Sequence, residues 1–187
     1  RGHAFRSRSD TEGIVHAYEE FGDDFVLHLD GMFALAVWDE RRQRLLLARD
    51  RAGKKPLFYE WRDGRLTFGS EIKAIVGAGG RRPALAERHL VALLRFGFVP
   101  NPGTAFEGVL QVPPASRIVI DAGGPGEPTS FWRLRFPMHP EKRSLSEVSE
   151  LLRTRVTEAV ERRLVADVPL GALLSGGLDS SIVVAAA

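Results

Sequence analysis

The segment Ser175-Gly176-Gly177-Leu178-Asp179-Ser180-Ser181 gathers the groups that an anion needs. Anion binding asks for exposed backbone N–H groups, a positive helix end and no Cβ in the way. Gly176 and Gly177 remove side chains, and Ser175, Ser180 and Ser181 add hydroxyls. The apolar run from Ile182 onward predicts a helix whose N-terminus lies beneath the turn. The sequence has no Gly-x-x-x-x-Gly-Lys motif, so this is not the usual triphosphate loop. Asp179 stands where that loop carries its lysine. A carboxylate beside phosphates makes sense only with a cation between them, most simply Mg²⁺. The plain alternative is a Gly-Gly turn closed by a serine cap.

The other reactive side chains point to less. His3, His16, His28, His89 and His139 have no metal-ligand spacing, so no metal cluster is expected among them. The pairs Glu19-Glu20 and Asp23-Asp24 fall at a helix end and are expected to be solvated surface. Arg49-Asp50-Arg51 could anchor a loop near an active site, but a structural knot of ion pairs is the expected reading. There is no cysteine, which excludes disulfides, thiolate metal sites and a cysteine nucleophile within these residues.

The elements that must carry these groups follow from periodicity and caps. Ser9-Asp10-Thr11-Glu12 has the form of a capping box, and Ile14, Tyr18 and Phe21 continue at helical spacing, predicting a helix over about 10–21. Met32 to Trp38 is a continuous apolar run that predicts a strand buried on both faces. Leu45 to Ala48 and Leu57 to Trp61 predict two more strands, and Asp63-Gly64 signals a hairpin into Arg65–Ser70. A short helix is expected over Glu71–Val76, broken by Gly77, Gly79 and Gly80. To this point the pattern is a β-meander with helices on its faces, an α+β layering.

From 81 to 143 Pro and Gly become frequent, with one helix near Glu87–Phe96 and one short strand at Ser116–Asp121. This stretch reads as a connection, most loop-like around 122–130. A second capping box, Ser144-x-x-Glu147, opens an amphipathic helix with Val148, Leu151, Leu152, Val156, Ala159, Val160 and Leu164 on its apolar stripe. A buried strand at Val168–Leu174, the glycine turn and a helix from Ile182 would complete the opening of an α/β nucleotide-binding unit. The expected organisation is 1–121, a linker over 122–143, and a second domain from 144 to 187.

The 187 residues are 44% apolar and 27% charged, enough for a proper core, which excludes disorder, collagen and low complexity as overall descriptions. No run approaches the ~20 apolar residues that span a bilayer, and no signal segment is present, so a cytoplasmic location and no membrane contact are expected. Of the 26 basic residues 22 are Arg, scattered in short pairs such as Arg41-Arg42, Arg81-Arg82 and Arg162-Arg163 against 24 acids. That spread lacks the clustered basic face that nucleic acid requires, so no nucleic-acid partner is expected.

Several motifs carry a family resemblance. Ser175-Gly176-Gly177-Leu178-Asp179-Ser180 resembles the pyrophosphate loop of the N-type ATP pyrophosphatases, which adenylate a substrate and release pyrophosphate. Ser9 to Glu12, Gly31 to Asp39, Ala48 to Leu57 and Gly69 to Ala74 resemble the class II glutamine amidotransferase domain. With Gly97-Phe98-Val99-Pro100 and Asp167-Val168-Pro169, the order resembles the glutamine-hydrolysing asparagine synthetases over nearly the whole chain. The implied fold is the C-terminal part of an Ntn-hydrolase-like αββα sandwich, followed by the start of a pyrophosphate-loop α/β domain. The implied chemistry is ATP- and Mg²⁺-dependent transfer of ammonia from glutamine to an adenylated aspartate, giving asparagine, glutamate, AMP and pyrophosphate. A sheltered route for ammonia between two sites is implied likewise, and a homodimer fits the resemblance.

Residue by residue, the resemblance makes Asp10 the carboxylate that holds the α-amino group of glutamine, where the plain alternative is a helix-capping acid. Leu173 matches a backbone contact to the adenylate. Ser175, Gly176, Gly177 and Ser180 match the pyrophosphate cradle, and Asp179 matches a magnesium ligand. The family's N-terminal cysteine nucleophile, its Asn-Gly oxyanion segment and its carboxylate-gripping arginine are not among these residues, so no catalytic residue is assigned. An internal slice of a longer enzyme is therefore expected, inactive and weak for ATP by itself, with open sheet edges. Two other readings stay open: a related synthetase acting on another carboxylate, as in β-lactam closure or in polysaccharide and natural-product amidation, and a degenerate amidotransferase module that only binds.

Overall fold

A computed structural model describes residues 2–78, 80, 82–139 and 142–187. Gly79, expected to help break a helix, and Arg81, of the Arg81-Arg82 pair, lie outside the described residues, as do 140 and 141 of the expected linker. The chain divides into two compact units, Arg1–Arg135 and Phe136–Ala187.

In the first unit, helix α1 (Asp10–Phe21) runs into a 3-10 turn (Gly22–His28). Two antiparallel sheets follow. The first is ordered β1 (Ala34–Asp39), β2 (Arg44–Arg49), β6 (Ser116–Asp121), β7 (Gly124–Pro125), with β8 (Thr129–Ser130) also on β6. The second is β4 (Arg65–Gly69), β3 (Phe58–Arg62), β5 (Val109–Gln111). The expected single meander is thus two sheets. The loop of 50–57 carries the chain from β2 in one to β3 in the other, because β2 already has neighbours on both sides.

The pleat sorts β2 by face. Leu47 points to the inter-sheet core with Ile118 and Ile120 of β6 and Leu57, Tyr59 and Val112 beside or within the second sheet. Leu46 and Ala48 point the other way, onto Phe25, Val26 and the Ile14, Ala17, Tyr18 and Phe21 stripe of α1. Helix α2 (Ile72–Ala78) lies against β4 and β3, with Ile75 fully buried. The layers are therefore helix, sheet, sheet, with α2 on the second sheet. Gly77 continues α2 and does not break it.

Asp63 and Gly64, both at positive φ (51° and 73°), make the hairpin turn that the Asp-Gly pair announces. Leu47→Ala is expected to cost about 2–5 kcal/mol in urea denaturation of the chain, because the methyls it removes have no solvent path and leave a cavity. Trp38→Ala, at a half-exposed edge position, should cost far less.

Two expectations about burial are corrected. β1 is not buried on both faces: Ala36 and Trp38, which share one face, are exposed, Trp38 by 53%. The 81–143 stretch, expected as a connection, supplies sheet strands: β6 pairs with β2, β7 and β8, and β5 pairs with β3. Likewise 122–130, the expected loop, supplies β7 and β8. Helix α3 (Glu87–Phe96) closes with Gly97 in the left-handed region, its N–H on Leu93 O.

The second unit contains α4 (Leu145–Glu161) and α5 (Leu178–Ala186), which pack on each other, and no strand among the described residues. The Ser144 capping box forms in full, with Glu147 Oε2 accepting from Ser144 N at 2.7 Å. Of the expected apolar stripe only Val160 is buried. Val168–Leu174 is not a buried strand: it makes no ladder, and Val168, Leu170, Leu173 and Leu174 are all exposed. A parallel strand exists only beside a partner, and no described segment offers one.

Candidate functional site

The start of α1 keeps its expected N-cap but differs from the expected capping box in what Glu12 bonds. Ser9 is the N-cap, and its Oγ accepts from Thr11 N at 3.2 Å. Glu12 does not reach back to Ser9. Its carboxylate accepts instead from Arg6 N (2.7 Å), Ser7 N (2.6 Å) and the Ser7 hydroxyl. The Ser7 hydroxyl and then the Arg6 amide hold the Glu12 carboxyl down at about 2, because each bond needs the anion. This pins the segment ahead of α1 to the helix. Asp10 is the first helical residue, exposed, with a long 3.5 Å contact from Thr11 Oγ1. The cap is Ser9, so Asp10 is not consumed by capping.

Thr11 lines an open groove of about 1020 Å³ between α1 and β1, walled by Ile14, Val15, Leu35, Val37 and Trp38. Deeper along α1, Tyr18 donates to Asp39 Oδ2 at 2.7 Å and accepts from Arg44 Nη2 at 3.1 Å, and Arg44 also donates to Asp23 Oδ2 at 3.2 Å. Burial and the bond to Asp39 push the Tyr18 phenol up, and the same bond holds the Asp39 carboxyl down. With Arg117 donating to Asp24 Oδ1 at 2.8 Å, these ties fix α1 and the 3-10 turn on the first sheet. Sequence spacing gave no signal for them, since the partners are 21 to 93 residues apart.

The Arg49-Asp50-Arg51 loop is a knot, but not of ion pairs. Arg49, buried, donates to the carbonyls of Lys55 (2.7 Å), Val112 (2.9 Å) and Gly53 (2.7 Å). Asp50, 1% exposed, accepts from Ala52 N (3.1 Å) and Lys54 N (2.9 Å) on Oδ1 and from Lys55 N (3.0 Å) on Oδ2. Burial alone would raise the Asp50 carboxyl, but the amides of Lys55, Lys54 and Ala52 outweigh it and lower it. Arg51 Nη1 donates to Leu29 O at 2.9 Å. Each charge is matched by backbone dipoles, so the loop is over-determined without pairing its own charges. Gly53 is required here: φ is +62°, and a Cβ would stand 2.9 Å from Pro114 Cγ.

In the second unit the glycine turn runs directly into helix. α5 starts at Leu178, four residues before the expected Ile182, so Asp179, Ser180 and Ser181 occupy its first turn. Gly177 is the N-cap, and its carbonyl collects Ser180 Oγ (3.0 Å), Ser181 Oγ (2.8 Å) and Ser181 N (3.1 Å). Ser175 Oγ lies 2.9 Å from Ser180 Oγ and accepts from Gly177 N at 3.4 Å. Gly176, at φ +78°, has nothing within 4 Å of a Cβ position. The turn is therefore folded on itself by serine hydroxyls. The N–H groups of Leu178, Asp179 and Ser180 precede the first intrahelical bond and are the free donors of a helix start. Leu173 is 98% exposed, its side chain held by nothing nearby. Asp10 and this turn belong to separate compact units.

Three first-turn N–H groups and a positive helix end suit a phosphate group, while the serine hydroxyls brace the turn from within. The lone carboxylate of Asp179 suits Mg²⁺ as one ligand among phosphate oxygens and waters. Among the described residues no helix is long and apolar enough to cross a membrane.

Comparison with known proteins gives two successive matches along the chain. The family described as glutamine amidotransferase domain matches residues 1–132, and the one described as asparagine synthase matches 151–187. A glutamine-hydrolysing asparagine synthetase of Bacillus subtilis is 39% identical, over all of this chain and 30% of that protein. An asparagine synthetase of Arabidopsis thaliana is 35% identical over 100% and 27%. An amidase of Gibberella zeae is 38% identical over 96% and 26%. Among solved structures, the glutamine phosphoribosylpyrophosphate amidotransferase of B. subtilis aligns with TM-score 0.49 at 19% identity, covering 70% of this chain and 24% of that one. The chain thus spans under a third of the length of these curated relatives.

Proposed function

The chain belongs to the glutamine amidotransferase domain family, and on that premise we propose that the protein carrying it is a glutamine-hydrolysing asparagine synthetase. Residues 1–121 with the strands after them would form its amidotransferase part, of Ntn-hydrolase type. Residues 144–187 would open its ATP-pyrophosphatase part. The observation that carries the reading is the pairing of the two family matches in one chain, each holding its own candidate binding element: Asp10 in one, the Ser175–Ser181 turn in the other.

In the first part Asp10 would bind the α-ammonium of glutamine, for which its exposed carboxylate, not used as the cap, is suited. In the second part the first-turn N–H groups of α5 would hold the pyrophosphate portion of ATP, with Ser175 and Ser180 orienting it and the Leu173 backbone beside the adenylate. Gly176 and Gly177 keep that approach open. Asp179 would hold Mg²⁺, which when bound neutralises charge on the leaving pyrophosphate. Adenylation is chemically necessary because a free carboxylate does not react with ammonia, whereas an acyl adenylate does. Both substrates and products are small and polar, and a cytoplasmic homodimer is the setting that fits this reading.

The amidase of Gibberella zeae, only slightly less similar than the Bacillus synthetase, supports a second reading in which the acceptor is a carboxylate other than aspartate. AMP and pyrophosphate release by the full-length protein, with glutamine, ATP and Mg²⁺ and with or without aspartate, separates the two. Aspartate-dependent AMP with equal asparagine supports the synthetase. Glutamine hydrolysis with no aspartate-dependent AMP overturns it in favour of another acceptor. Asp10→Asn is expected to raise KM for glutamine by about 10- to 100-fold, the worth of one charge-assisted contact. Activity with free ammonia should stay near normal, which a misfolded variant would not show.

A further inference from the structure

The histidines have no metal-ligand spacing in sequence, yet the fold brings two of them together with a carboxylate. His3, in the segment ahead of α1, and His16, on α1, have ring centroids 4.6 Å apart. One ring nitrogen of each and a carboxylate oxygen of Glu19 all lie within 4.8 Å of one another. Glu19 Oε2 is 3.3 Å from His16 Nδ1 and 3.8 Å from His3 Nδ1. Donor atoms placed tetrahedrally at Zn–N and Zn–O lengths of about 2.0–2.1 Å stand roughly 3.3 Å from each other, so the set is within a small adjustment of enclosing an ion.

The opposite edges of both rings also face carboxylates. His16 Nε2 lies 3.7 Å from Glu12 Oε1, and His3 Nε2 lies 3.7 Å from Glu20 Oε2. His16 Nε2 is shielded from solvent and has no hydrogen-bond partner. A metal on Nδ1 leaves the proton on Nε2, where a carboxylate can accept it. That carboxylate–histidine–metal order is the usual support of an imidazole ligand. The two imidazoles, tilted 37° to each other, are thus ringed by the carboxylates of Glu12, Glu19 and Glu20.

We propose that His3, His16 and Glu19 form a three-ligand site for a first-row divalent cation, best suited to Zn²⁺ with water in the fourth position, supported by Glu12 and Glu20. Two imidazoles and one carboxylate suit zinc over magnesium or calcium, which prefer all-oxygen shells. The ion ties the segment that precedes α1 to the flank of that helix, so that Ser9 and Asp10 are held between the Glu12 tether and the metal. The site stands independently of the reading of Asp10 and of the glycine turn.

Titration of the untagged full chain with ZnCl₂ by calorimetry, and with CoCl₂ by visible absorption, tests this. One equivalent of zinc at micromolar or tighter Kd is expected, with the absorption of four-coordinate cobalt. His3→Ala and Glu19→Gln should each weaken zinc binding at least tenfold, while His139→Ala leaves it unchanged. Both replaced ligands are exposed, so the metal-free variants should melt as the parent does, and zinc should raise the melting temperature of the parent only. Absence of stoichiometric zinc binding overturns the proposal, and so does parental affinity in either ligand variant.

Discussion

Asp179→Asn in the full-length protein is expected to lower Mg²⁺-dependent AMP release by about 100-fold or more, with glutamine hydrolysis intact. The substitution keeps size and an acceptor oxygen and removes one negative charge from the first turn of α5. As a helix-start acid alone, Asp179 contributes only about 0.3–1 kcal/mol of local stability through the helix dipole. A loss of that kind would show as a small shift in melting temperature with little change in rate. As a metal ligand beside phosphates, its loss acts on the adenylation step itself. The two roles also differ in sign without metal. Removing an anion near the helix N-terminus leaves metal-free nucleotide binding unchanged or improves it. A variant with unaltered AMP release at saturating Mg²⁺ would remove Asp179 from the site.

The second large effect concerns folding. Asp50→Asn is expected to destabilise the chain by about 2–4 kcal/mol, and Asp50→Ala by more, in urea denaturation at pH 7. An asparagine can keep one oxygen for the Ala52 and Lys54 amides. Its amide nitrogen then faces Lys55 N, two donors without an acceptor, in a site 1% exposed. The loop that Asp50 organises also carries Ala115 N on Asp50 O at 2.9 Å, so the damage reaches the start of β6.

The pH dependence has a definite sign. The folded Asp50 carboxyl sits below its unfolded value of about 3.9, so its stabilisation is fully present above that value and is lost as pH falls through the folded value. Wild-type stability attributable to this group should be flat from pH 7 to about 5 and fall below about 4. Asp50→Asn should lack that part of the decline. Equal acid sensitivity of the two would show that other carboxylates carry the transition.

The local grammar of this chain was legible residue by residue. Asp63-Gly64 set its hairpin, since only a pair tolerant of positive φ makes that turn. Ser144 and Glu147 set the start of α4, and the periodicity of Glu87–Phe96 and the alternation of Ser116–Asp121 set a helix and a strand at their observed bounds. All of these depend on neighbours within a few residues. The motif order was legible too, because the family match rests on segments each readable alone.

What the sequence could not decide depends on partners far along the chain. Met32–Trp38 looked buried on both faces because apolarity does not state what covers each face, and the face of β1 that carries Ala36 and Trp38 lies exposed. Residues 81–143 looked like a connection because the pairing of β5 with β3 and of β6 with β2 spans about fifty to seventy-five residues. Ser9-x-x-Glu12 satisfied the pattern of a capping box, yet the Arg6 and Ser7 amides and the Ser7 hydroxyl competed for the same carboxylate and won. The Arg49-Asp50 pair looked like an ion pair because charge is visible in sequence while backbone dipoles are not. His3, His16 and Glu19 showed no ligand spacing, since the chain ahead of α1 must fold back along the helix before they meet. Sequence alone determined the locally coded helices, strands and turns and the chemistry of their side chains; the tertiary structure decided which strands form and which groups share a site, because non-local contacts are chosen by packing and by competition for buried hydrogen bonds.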